Sequence, residues 1–315
     1  MNKLFGLFLL ALAFLAPNAA YAVTCFWVGG TASWDGTNTG GGGAGGIKWA
    51  SASGGGTTCA GGGTGGSPST GDSATFDASS GTGTVTVNTT VAIISLDMSA
   101  FTGPSTLDFA TNNNNVTLSS STTAFISTGA GNRTLNMGNG TWTLSGATAI
   151  WTAAGSTNFT LNANGSTVAF TGTASGQREF RAGTSKTYNN ITVNSSVDRF
   201  FQLSGATAIG INTLTITGPN RVQFQQGITT TITTLSNISA NSTNQCLLTN
   251  NNPSNGQATI SSGNNFTADY CAISGLAFTG AGTFAATNSM NVGQATGITI
   301  SLPSGGGAGG RIIGG

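Results

Sequence analysis

The chain of 315 residues contains no histidine. Without an imidazole, no unperturbed side chain changes charge near neutral pH, which excludes Ser-His-Asp and Cys-His nucleophilic arrangements. Charge is nearly as scarce: 5% of residues are Asp, Glu, Lys or Arg, so there is no basic field for nucleic acid. A polysaccharide hydrolase would need clustered carboxylates, and the acids are scattered apart from Asp72 with Asp77 and Glu179 with Asp198. No window past the first residues carries a helical apolar stripe. Cysteine is limited to four residues, none in a CxxC spacing, which argues against zinc. The reading is of a chain that is not an enzyme and that needs no cofactor.

What is present begins with a short basic start, Met1-Asn2-Lys3, a largely apolar run over residues 4–16, and Ala20-Tyr21-Ala22. The run is too short to span a bilayer and has the size of a secretory signal core, with a small-x-small cleavage site after it. Residues 1–22 are therefore expected to be a signal peptide, leaving an exported bacterial protein, secreted or at the cell surface, with no membrane span. Removal of Lys3 leaves eight Lys or Arg against eight Asp or Glu, a net charge of zero. Four cysteines in an exported chain read as two disulfides with three possible pairings. Their layout, one pair near each end, favours Cys25 with Cys59 and Cys246 with Cys271.

Fifty glycines and an abundance of Ser, Thr and Asn give a turn-rich, β-prone alphabet. Seventeen Phe with regularly spaced Val, Ile and Leu supply a core. Residues 23–80 hold Trp27, Trp34, Trp49 and glycine runs, and are expected to form an N-terminal cap. The string GGGGAGGIK there resembles a phosphate loop only superficially, because Lys48 is followed by Trp49 rather than Ser or Thr.

Beyond residue 81 the chain repeats. TLNMGNGTWTLSG at 134–146 overlays TLNANGSTVAFTG at 160–172 without gaps, and Thr106-Leu107-Asp108 starts a similar segment earlier. Arg178-Glu179-Phe180, Arg199-Phe200-Phe201 and Arg221-Val222-Gln223-Phe224 restart the pattern, and LSGATAI occurs at both 144–150 and 203–209. Repeats of this length with short strands and Gly, Asn or Ser turns mark a β-solenoid, in which each turn of chain covers the apolar face of the next. The fold class expected over 81–302 is thus all-β, a right-handed parallel β-helix of about nine turns and about 45 Å at the usual strand spacing. Residues 303–315 form a flexible Gly-rich tail. An antiparallel β-sandwich is the alternative, since Asn-Gly pairs also make hairpins.

Among candidate sites, Trp142 overlays Val168 and belongs to the core, whereas Trp151 falls beside Gln177 and is expected to face outward, where an indole can stack on a sugar. Arg178, Arg199 and Arg221 would share one edge of the stack, with Arg181 and Lys186 nearby. Such an edge could pair with anionic groups of a glycan, or be neutralised by Glu179 and Asp198. Phe180, Phe201 and Phe224 would stack inside. Asp72 and Asp77 are weak candidates for Ca²⁺, and aspartates beside Gly and Ser more often bond their own turn, so no metal is expected.

The pattern Trp27-Val28-Gly29-Gly30, Trp34-Asp35, Trp49, Pro68, Gly71-Asp72, Phe76-Asp77 leading into GTVTVNTT resembles the start of β-helical surface and fibre proteins of bacteria and their phages. ADYCAISG and FAATNSMNVGQATGITI resemble the closing turns of the same broad group. The resemblance implies a parallel β-helix serving as an adhesin-like or fibre-like element, with no catalytic residues. The expected function is a surface or matrix protein that adheres to surface polysaccharide or to copies of itself, with no nucleic-acid partner. A virion fibre component and a polysaccharide-active enzyme are the alternatives.

Overall fold

The computed structural model describes residues 22–35, 46–103, 105–155, 158–172, 177–194, 199–205, 207–217, 220–243, 245–252 and 256–303, with the backbone alone at 199, 200, 220 and 236–239. Of the expected signal peptide only Ala22 is described and of the expected tail only Pro303, and Asp198 lies outside the described residues. The described chain is a β-coil with no α-helix. A main sheet of twelve strands runs the whole length, from Thr24–Trp27 to Met290–Gly293. An opposite sheet of nine strands runs from Val91–Ile93 to Leu276–Thr279. Strand pairing is parallel in every ladder except one, where Trp49–Ala50 lies antiparallel on Thr24–Trp27. The parallel stacking already includes Thr24–Trp27 and Ser73–Thr75, so it begins well before residue 81.

Many of the strands alternate as a half-buried strand should. Arg133–Asn136 buries Arg133 and Leu135, and Thr141–Leu144 buries Trp142 and Leu144. Stacking then converts the alternation into columns: Leu96, Phe125, Trp151, Phe180, Leu203 and Phe224 are register partners down the main sheet. Each fully buried aliphatic or Phe side chain of this kind contributes about 1.5–3 kcal/mol. The abundant asparagines have a matching role at the corners. Asn162 Nδ2 donates to Asn136 Oδ1 at 2.7 Å, and Asn136 Nδ2 to Asp108 Oδ1 at 3.2 Å, so the amide of one turn satisfies the next. A second corner ladder runs from Asn113 Oδ1 to Asn139 N at 2.8 Å and from Asn139 Oδ1 to Gly165 N at 2.9 Å.

The coil is not uniform, because its third side changes place. In the N-terminal half a first wall, from Ala32–Ser33 to Phe159–Asn162, lies between main-sheet and opposite-sheet strands in chain order. Near the C-terminus a second wall, Phe266–Asp269, Phe284–Thr287 and Thr299–Ile300, lies instead between opposite-sheet and main-sheet strands. The two walls therefore close opposite edges of the same two-sheet sandwich. Between them, among the described residues, the chain runs from one sheet to the other with no wall strand, and the period shortens accordingly. Trp142 pairs with Val168, 26 residues on, Val168 with Ile191, 23 on, and Leu214 with Leu235, 21 on. In the second wall Phe266 pairs with Phe284, only 18 on.

The overlay of 134–146 on 160–172 holds residue for residue, with Thr134 on Thr160 and Trp142 on Val168. The twin LSGATAI segments are not equivalent turns. Leu144 closes an opposite-sheet strand and Leu203 lies in a main-sheet strand, so the heptapeptide serves two different corners. Gly146 must be glycine because a Cβ there would collide with the Ser120 carbonyl of the preceding turn, whereas one at Gly205 would meet Ile209 side-chain atoms at 3.1 Å and the Thr207 carbonyl at 3.4 Å.

Candidate ligand-facing surface

Two expected glycan contacts are corrected by register. Trp151 does not face outward: it is fully buried, stacked on Phe125 at 4.0 Å and on Phe180 at 6.0 Å, with its Nε1–H donated to Tyr188 Oη at 3.1 Å. Its partner in the next turn is Phe180, 29 residues on, rather than Gln177. Burial raises the Tyr188 pKa, so that phenol stays a neutral acceptor for the indole and donates in turn to the Ala182 carbonyl at 2.9 Å.

Arg178 is likewise inward and fully buried, and its Nη2 donates to the Gly172 carbonyl. The arginines do not form one ladder, because Arg178 pairs with Phe201 while Arg199 pairs with Asn220. Steps of 23 and 21 residues are odd and unequal, so the Arg-x-Phe triplets slip out of phase. Arg181 is exposed and bonds Glu179 Oε2 at 2.7 Å, an ion pair on the outer face of the main sheet that raises its pKa. Arg221 is also exposed on that face, and the Arg199 side chain lies outside the described atoms. Phe180, Phe201 and Phe224 are all buried, with Phe201 one column over, on Val222.

The acidic candidates have structural occupations. Asp72 Oδ2 accepts from the Ser69 N–H at 2.9 Å and from Ser69 Oγ at 3.2 Å, while its Oδ1 accepts from Val23 N at 3.3 Å. Asp77 caps the short turn Ala78–Ser80 through the Ser79 N–H at 2.8 Å. Disulfides join Cys25 to Cys59 and Cys246 to Cys271.

The feature that could take a ligand is the step where the first wall ends. Past Phe159–Asn162 the opposite-sheet strands lengthen to Thr187–Asn194, Ile209–Thr217 and Thr229–Ser239. A groove of about 350 Å³ opens there, lined by Ser185, Lys186, Thr187, Asn212, Thr231 and Thr233 together with Ala208, Ile209, Gly210 and Ile211, with no Asp or Glu. Gly210 forms its floor, between Thr187 and Thr231 in register, and a Cβ would meet Thr187 Oγ1 at 2.6 Å. Asn212 Nδ2 donates to Asn189 Oδ1 at 3.0 Å, which orients the Asn212 amide.

Lys186 anchors the step. Its Nζ donates to the Phe159 carbonyl, an edge group of the last wall strand, and lies 5.6 Å from the Phe159 ring. The Arg133 guanidinium is 5.7 Å from the same ring, donating through Nε to Ser127 Oγ at 2.8 Å and through Nη1 to the Gly131 carbonyl at 2.7 Å. Burial first, and then repulsion from Arg133, lowers the Lys186 pKa. Sequence reasoning placed Lys186 only beside the arginines. Nothing in the local pattern announces the groove, because it exists where a wall strand is missing. Comparison with family profiles, curated proteins and solved structures finds no match.

Proposed function

We propose that this chain is an exported, non-enzymatic β-solenoid of the cell surface or extracellular matrix that holds acidic, hydroxyl-rich glycan in the groove beside the first wall. The observation that carries the reading is the groove's lining: hydroxyls at strand spacing, one oriented amide and one ammonium, without a carboxylate. A sugar is recognised by alternating donors and acceptors, and a uronate or sulfate would share the Lys186 ammonium with the Phe159 carbonyl. Threonine ladders outside the groove extend the same chemistry, with Thr84, Thr106, Thr134 and Thr160 in register along the first wall. The two disulfides suit an oxidising compartment. No helix among the described residues is long and apolar enough to cross a membrane. We take the coil as right-handed, the hand that parallel crossovers favour, and residues 23–80 as its cap.

A glycan array with the oxidised chain tests the reading. Uronic-acid or sulfated oligosaccharides should bind, and Lys186→Met should weaken them about 10- to 100-fold, the worth of a charged hydrogen bond. Gly210→Val should fill the groove with the same result. Binding that survives both substitutions would place the glycan elsewhere.

A further inference from the structure

The last described turn of the coil is paired on one side and carries no further turn beyond it among the described residues. Met290–Gly293 pairs only with Cys271–Ser274, and Thr299–Ile300 only with Phe284–Thr287. Met290 continues the outer-face column of Arg221, Leu247 and Ala272, Asn291 stands over the buried Ile273, and Ile300 continues the inward column of Ala286. Here Met290 is 45% exposed, Val292 53% and Leu302 69%, and no other large hydrophobic residue among those described is exposed. No Lys, Arg, Asp or Glu occurs between Tyr270 and Pro303. Natural sheet edges are blunted by charge, proline or a covering segment, and this edge has none of the three within its strands.

We infer that this end face is an interface with a second copy of the chain, docked end to end about a two-fold axis. The opposite end of the coil cannot serve as the partner surface. The outer edge of Thr24–Trp27 is taken by the antiparallel strand Trp49–Ala50, whose tether includes the Cys25–Cys59 bond. A head-to-tail filament would need that edge, so the contact closes on itself as a pair. A two-fold axis at Asn291 sets Met290 of each copy against Val292 of the other and lets one exposed strand supply both halves of an antiparallel ladder. The Asn291 side chain is already turned back into its own loop. Its Oδ1 accepts from Gly293 N at 3.0 Å and its Nδ2 donates to the Ala295 carbonyl at 3.1 Å, which keeps it off the edge. The neutral composition removes like-charge repulsion between identical surfaces. Strands of four residues, roughly 13 Å long, make a contact smaller than a standard interface, so the pair is reversible.

Sedimentation of the full oxidised chain over a range of concentrations tests this. A monomer–dimer equilibrium with no larger species is expected, and Val292→Lys, at a site outside the core, should weaken it more than about tenfold by burying an unpaired charge. Lys186→Met should leave the dimer intact while glycan binding falls, and Val292→Lys should do the reverse, so failure of one proposal is separable from failure of the other. A chain that stays monomeric with Met290–Gly293 amides protected from exchange would show that the end is covered from within, which overturns the inference. So would open-ended polymers, or a dimer indifferent to Val292→Lys.

Discussion

At the first turn, Thr24–Trp27 has its outer edge covered by Trp49–Ala50, and Trp27, Trp34, Trp49 and Phe76 pack beneath with none more than 1% exposed. At the last turn, Met290–Gly293 has one partner and all four of its residues are exposed. Both ends are strands of the same main sheet, so the difference is not one of strand type. Trp49 stands edge-on to Trp34 at 4.7 Å and to Trp27 at 5.1 Å, and its Nε1–H reaches the Trp34 carbonyl at 2.7 Å. That packing needs a chain excursion which returns antiparallel, and among the described residues none returns over the C-terminal turn. A parallel coil cannot protect its own edge by coiling further, since every added turn presents a new one. Protection has to come from a different pairing, from another chain, or from a change of sequence.

Substitutions at the two ends should therefore differ most. Trp49→Ala should cost about 3–5 kcal/mol in denaturant unfolding, whereas Val292→Ala should change monomer stability by less than about 0.5 kcal/mol. Equal costs would mean that the ends are alike and would break the comparison. Next in size is the disulfide that holds the excursion. Replacing Cys25 and Cys59 together by Ser should remove about 3–4 kcal/mol on the chain-entropy account, and should speed amide exchange at Thr24–Trp27 without altering that at Met290–Gly293.

A smaller effect follows from pH. Lys48 sits buried in the covered end, and burial lowers its pKa. The unfolded chain then binds more protons over the interval just below the ordinary lysine range, so stability should rise as pH rises through that interval. Protection factors at Thr24–Trp27, taken against the intrinsic base-catalysed exchange rate at each pH, should rise in step, while those of the neutral last turn show no such dependence. The smallest change is expected on the flank, remote from both ends. Arg181→Ala removes the exposed partner of an ion pair and leaves Glu179 its hydrogen bond from Ser204, so it should alter stability by less than about 0.5 kcal/mol. That sets the baseline against which Val292→Ala is judged.

Local pattern carried much of this architecture. The gapless overlay of 134–146 on 160–172 names true register partners, and the end-to-end layout of the cysteines names their pairs. Trp151 and Arg178 were misread because a constant step was carried past the point where the period changes. In a strand an error of one residue turns every side chain to the other face. A step of 26 sets Trp151 beside Gln177 and the true step of 29 sets it on Phe180, and that odd difference of three residues separates a sugar platform from a stacked core residue. The groove at Lys186 was illegible for a different reason, since it is formed by three separate turns and a wall that stops.

Alternation of Thr with Leu, Ile and Phe determined by itself that the chain forms strands, and repetition at 21–28 residues that they stack in parallel, because each half-apolar turn can be buried only by its neighbours. The tertiary structure alone decided where the third wall stands, on one edge of the sandwich up to Phe159–Asn162 and on the other from Phe266–Asp269 onward. Corners of similar composition satisfy either path, as the two copies of LSGATAI show. Which path is taken depends on the turn already laid down beneath, whose exposed backbone groups and apolar column the next turn must match.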